Sequence, residues 1–161
     1  MTLCRCVNSL MIRIENTSDL AHSLETLIGM DDIRWKQRLN QLKKAASLMN
    51  EGLDISSPSR IEQAGLIQAF EMAFELSWKL LKDFLVSEGF DVATPRAAIK
   101  QAFQNEIIQD GELWLVALSD RNLTTHTYNE STADLVVDSI KSKYSPMINE
   151  LIAYFGAYEC D

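Results

Sequence analysis

The stretch Asp120-Arg121-Asn122-Leu123-Thr124-Thr125-His126-Thr127-Tyr128 gathers an arginine, an amide, three hydroxyls, a histidine and a tyrosine within nine positions. These groups suit metal-free cleavage of RNA. A histidine with a pKa near ~6.5 takes the proton from a ribose 2′-hydroxyl or returns one to the leaving oxygen. An arginine fork holds a phosphate and stabilises the charge that grows on it. Asn122 and His126 are four apart and share a helix face, so the amide is able to orient the imidazole. Arg121 and His126 are five apart, roughly 140° around an ideal helix. They do not converge on one small group from a single straight helix. They converge if the helix ends near His126, or if two copies of the chain face each other across a twofold axis. The plainer reading is a polar helix face whose histidine is satisfied by its neighbours, and these residues alone leave both readings open.

Other chemistries lack their residues. A minimal nucleotidyltransferase needs a Gly-Ser turn for the triphosphate and paired aspartates for magnesium. None of the six glycines is followed by serine. Asp31-Asp32 is adjacent rather than alternate and sits at an expected helix start, where acidic residues are ordinary dipole partners. Neither a P-loop nor a GxGxxG run occurs. His22 and His126 are the two histidines, and Cys4, Cys6 and Cys160 lie near the termini. This pattern gives neither a zinc site nor a disulfide framework and points to a reducing, cytoplasmic compartment. No cofactor or metal is called for. The net charge of −8 argues against whole-protein steering toward nucleic acid. No segment is long and apolar enough to span a bilayer, and the start lacks the pattern of a signal peptide.

The elements that must position the segment read as helices. The chain has 161 residues, 47% of them apolar, with three prolines and six glycines, which favours a globular chain of long helices. Residues 1–30 keep no steady apolar period and are expected to form a loosely ordered extension, with a docking arm as the alternative. Residues 31–161 are expected to form the bundle domain. Trp35, Leu39, Leu42, Ala46 and Met49 step by three and four. A second helix is expected from Arg60 to Val86, with Ile67, Phe70, Phe74, Trp78, Leu81 and Leu85 in its stripe. Glu75 and Lys79 stand at the favourable i,i+4 spacing on the other face. Thr94 and Pro95 read as N-cap and first residue of a short helix carrying Ile99, Ala102 and Phe103. After Asp110-Gly111 comes a helix with Trp114, Ala117 and Leu118. Ser131 and Asp134 fit a capping box for a last helix with Val137, Ile140, Tyr144, Ile148, Leu151 and Phe155. Pro146 lies inside that helix and should kink it. The sum is an all-α, antiparallel bundle of four to five helices. Trp35, Phe70, Phe74, Trp78, Trp114 and Tyr144 are expected to fill one core.

The runs IQAFEMAFELSWKLLKDFLVSEGF, TPRAAIKQAF and IIQDGELWLVALSDRNLTTHTYNE closely resemble the nucleotidyltransferase substrate-binding protein family, part of the wider HEPN group. The resemblance covers roughly residues 32–156. Its most specific piece is R-x4-H-x-Y, met by Arg121, His126 and Tyr128. It implies a helical bundle like the helical domain of aminoglycoside nucleotidyltransferases, usually a homodimer, working with a separate minimal nucleotidyltransferase. In one description of such pairs the helical chain is a non-catalytic substrate-binding subunit of a split enzyme. In the other it is the toxin of a toxin–antitoxin module, an endoribonuclease that the partner silences by AMPylation. Carried over, Arg121 binds phosphate, His126 is general acid/base, Asn122 supports them, and Tyr128 accepts AMP.

Overall fold

The computed structural model describes residues 17–123 and 130–158. Among them are six α-helices and no strand: α1 (Thr17–Leu53), α2 (Arg60–Ser87), α3 (Pro95–Gln104), α4 (Gly111–Leu123), α5 (Glu130–Ser139) and α6 (Ser145–Tyr158). A π-helical turn, Ile140–Tyr144, joins α5 to α6. The expected all-α bundle is the observed one. α1 begins well before Met30, so the helix runs back through a part of the sequence without a steady apolar period; residues 1–16 lie outside the described residues.

α1 and α2 form the long antiparallel pair on which the rest is laid. Trp35, Leu39, Leu42, Ala46 and Met49 of α1 are all buried, as are Ile67, Phe70, Phe74, Leu81 and Leu85 of α2. Both stripes are continuous because three- and four-residue steps keep side chains on one helix face. Between them, Arg38 reaches Asp83 with Nε and Nη2, at 3.1 and 2.9 Å. At one end of the bundle Phe84 meets Trp35, Phe155 and Tyr158 edge-on, with ring centroids 5.6, 5.0 and 5.2 Å apart. Further along α2, Phe70 stacks on Tyr144 at 5.1 Å, and Phe74 packs on Trp114 at 5.7 Å. One expected core residue differs: Trp78 is half-buried at the margin of the core. Its indole N–H has a carboxylate partner near the surface, and a buried indole would need one inside.

The helix ends follow local chemistry. Ser59 caps α2 in a full capping box with Glu62, and Thr94 accepts from the Ala97 N–H with Pro95 in the first turn. Gly89, at φ 87°, closes α2 by donating to Val86, while Phe90 donates to Leu85. α3 ends in the same pattern, but Glu106 holds the left-handed position, at φ 58°, which costs a residue with a Cβ about 1–2 kcal/mol. Phe103, on the same helix as the buried Ile99 and Ala102, is 50% exposed. Its ring covers Gly111, where an added Cβ would come within 2.9 Å of Phe103 Cγ, so the turn into α4 needs glycine there.

Two expectations about the last helix change. Ser131 lies inside α5, which starts at Glu130, so it is not the N-cap, and Asp134 accepts from Gln63 Nε2 of α2 at 3.0 Å. The disturbance expected at Pro146 takes the form of the π-helical turn just before it, where the Ser145 N–H donates five residues back to the Ile140 carbonyl. A wider turn accommodates a ring that lacks an N–H and crowds the preceding turn.

Candidate functional site

α4 sets the direction of Arg121. The Asp110 side chain accepts from the Leu113 N–H at 2.9 Å and so caps the helix start. Trp114 and Ala117 are buried, and Arg121 follows Ala117 by four residues. The same face therefore carries the arginine toward α2 at the point where the apolar stripe reaches the surface. There Arg121 Nη2 lies 3.1 Å from Glu75 Oε2. The same oxygen accepts from Trp78 Nε1 at 2.9 Å, and Oε1 pairs with Lys79 Nζ at 2.9 Å. One carboxylate thus gathers an arginine, a lysine and an indole. Partial burial pushes Glu75 toward its neutral form. The bonds from Trp78 and Lys79 and the charges of Lys79 and Arg121 outweigh that and hold it below the usual carboxylate range.

Side chains on both sides of the ion pair keep about a third of their exposure, 35% for Arg121 and 31% for Glu75. A ligand can reach them, and solvent screens the pair. Asn122 is exposed, and its Oδ1 accepts from Arg121 Nη1 at 3.4 Å. Asp120 faces another way and accepts a hydrogen bond from the Tyr144 hydroxyl. Glu75 offsets one of the charges of its two cation partners, Arg121 and Lys79, so little positive charge is left over among them. A phosphate would be held by the geometry of the guanidinium fork rather than by a broad positive field.

Arg121 and Asn122 are thus placed together beside the end of α4. His126 and Tyr128 lie outside the described residues. Among the described residues no group of three or more His, Cys, Asp and Glu is arranged to hold a metal ion. None of their helices is long and apolar enough to cross a membrane. Sequence reasoning missed Glu75 as a partner of Arg121, because 46 positions separate them. The sequence signal for Glu75 was local, its spacing to Lys79. Beside Glu75 a shallow depression of about 530 Å3 runs between α1 and α2, lined by Ala45, Leu48, Met72 and Leu76. Leu48 is 52% and Met72 42% exposed.

Comparison with known proteins gives three findings. A family model described as "Nucleotidyltransferase substrate binding protein like" matches residues 37–155. A Haemophilus influenzae protein named "Probable ribonuclease HepT" is 32% identical over 82 residues, 48% of this chain, and the chain spans 56% of that curated relative's length. A crystal structure of a Thermus thermophilus protein superposes with a TM-score of 0.65 at 31% identity, covering 70% of this chain and 96% of that one.

Proposed function

We propose, from the fact that this chain belongs to the nucleotidyltransferase substrate binding protein-like family, that it is the HEPN-type toxin subunit of a two-component module and a metal-independent endoribonuclease. The observation that carries the reading is the placement of Arg121. It stands at the exposed end of α4, fixed by Glu75, five residues before a histidine and seven before a tyrosine. A relative named as a probable ribonuclease adds weight. In this reading the Arg121 fork holds the scissile phosphate and stabilises its developing charge. His126 takes the 2′-hydroxyl proton or donates to the 5′-leaving oxygen, and Asn122 orients it. Two copies sharing one groove would supply a second His126 for the opposite role. The apolar depression at Leu48 and Met72, which ends at Glu75, is a surface suited to such a self-contact.

The partner is a minimal nucleotidyltransferase, acting as antitoxin by transferring AMP from ATP to the Tyr128 hydroxyl: the new O–P bond forms as the α–β phosphoanhydride breaks, and pyrophosphate and the hydroxyl proton leave. The adduct adds a charged phosphate beside the motif and repels an RNA backbone. Expressed alone, the chain should stop growth, and Arg121→Ala or His126→Ala should relieve the arrest while leaving the bundle folded. Coexpressed with the partner, it should gain the mass of one AMP, and Tyr128→Phe should abolish the gain. Harmless expression together with an unmodified Tyr128 would overturn the proposal.

A second reading, a non-catalytic subunit that presents a substrate to the nucleotidyltransferase, is favoured by one observation: Arg121 already has a carboxylate partner in a chain of net charge −8. In that case a small ligand should bind only at the joint surface of the two proteins.

A further inference from the structure

Past Leu118 no described side chain of α4 is buried: Ser119 and Asn122 are exposed, Asp120 and Arg121 half-buried. The described side chains there give the turn no apolar anchor, and polar contacts are what hold Arg121 in its direction. Consecutive helical residues point about 100° apart, so Asp120 and Arg121 reach different neighbours. Arg121 turns to Glu75 on α2. Asp120 turns to the π-helical turn, where the Tyr144 hydroxyl donates to Oδ2.

Tyr144 is itself held firmly. It is among the largest fully buried side chains, and its ring stacks on Phe70 at 5.1 Å with an interplanar angle of 17°. The next residue, Ser145, donates from Oγ to Asn50 Oδ1 of α1 at 2.9 Å, and Asn149 Nδ2 donates to the same Oγ at 3.3 Å. Pro146 follows directly, and π-helical turns inside helices occur frequently at functional sites. The end of α4 is thus tied on one side to α2 and on the other to the junction of α5 and α6.

We infer that Tyr144 is a positioning residue for the candidate site: its hydroxyl, through Asp120, fixes the last turn of α4 and so the direction in which Arg121 presents its guanidinium. Burial and the Asp120 carboxylate both push the Tyr144 hydroxyl well above the ordinary tyrosine range, which keeps it a hydrogen-bond donor around neutral pH. The role in RNA cleavage rests on the ribonuclease reading above. The positioning itself does not.

The test compares full-length wild type with Tyr144→Phe, Asp120→Ala and Asp120→Asn by hydrogen exchange of the peptide spanning residues 113–123, alongside cleavage of single-stranded RNA. Tyr144→Phe keeps the ring on Phe70 and removes only the hydroxyl. Its amides in the last turn of α4 should exchange about tenfold faster, the order expected for losing one hydrogen bond to a charged acceptor, with α1 and α2 unchanged. Asp120→Ala should behave alike, while Asp120→Asn keeps an acceptor oxygen and should stay near wild type. Cleavage by Tyr144→Phe should fall several-fold, chiefly in kcat. Unchanged exchange in Tyr144→Phe, or acceleration spread evenly over all helices, overturns the inference. If wild type cuts no RNA, the ribonuclease reading fails, and local acceleration in the two variants still supports the positioning role.

Discussion

Phe74→Ala is a demanding test of how the bundle supports α4. Phe74 is completely buried near the middle of α2. Its ring lies 6.0 Å from Phe70 and 5.7 Å from Trp114, centroid to centroid. Truncating a buried phenylalanine costs about 3–5 kcal/mol, and the value depends on how far the neighbours collapse into the space. Here they have little slack. Phe70 is stacked against Tyr144, and Trp114 sits on α4 behind the Asp110 cap. The loss should therefore fall in the upper half of that range, about 4 kcal/mol. For a chain of this size that lowers the thermal midpoint by about 8–16 °C. Urea unfolding followed by far-ultraviolet circular dichroism reads the loss as a lower midpoint at unchanged slope. Leu135→Ala is the control. Leu135 is 68% exposed, and its truncation should change stability by less than about 0.5 kcal/mol. A Phe74→Ala loss under about 1 kcal/mol, or one equal to that of Leu135→Ala, would refute the packing argument.

Other outcomes follow from individual contacts. Glu75→Gln should cost less than about 1 kcal/mol at neutral pH, because the Arg121 pair is about a third exposed and screened. Its pH dependence has a definite sign. The folded pKa of Glu75 is lowered, so its contribution is complete above the ordinary glutamate pKa and is lost as pH falls through the lowered value; the variant should lose that acid-side slope in denaturant titrations. Thr94→Ala removes the acceptor for the Ala97 N–H and should lower stability by about 1 kcal/mol in the same assay. Glu106→Gly should raise it by up to about 1 kcal/mol, since glycine takes the left-handed φ of 58° without a Cβ penalty; a loss instead would mean that the Glu106 side chain stabilises the turn.

Much of this fold was legible because helices write themselves locally. The Trp35–Met49 and Ile67–Leu85 stripes and the Thr94-Pro95 start all rest on neighbours within a turn or two. What the sequence hid depends on distance or on competition. Phe103 has the right spacing for a core position but is drawn over Gly111 by the tight turn into α4. Ser131 and Asp134 have the spacing of a capping box, yet the helix already begins at Glu130 and Asp134 pairs with Gln63. Pro146 announced a disturbance without saying that it would become a π-helical turn. At the site, Arg121 stood out through its neighbours in the chain. Glu75 and Tyr144 did not, because 46 and 24 residues separate the partners in these contacts, and no local period encodes such a pairing.

Incubating the purified chain, in EDTA, with single-stranded RNA, beside Arg121→Ala and His126→Ala, decides whether it is a metal-independent ribonuclease. His126 is the only histidine in residues 37–155, the span that matches the family, so no other imidazole there can take its place. Wild type should cleave the RNA, each variant should lose about 100-fold or more, and their unfolding curves should remain close to wild type. RNA left intact by the wild-type chain, or cut equally by His126→Ala, would contradict the ribonuclease reading.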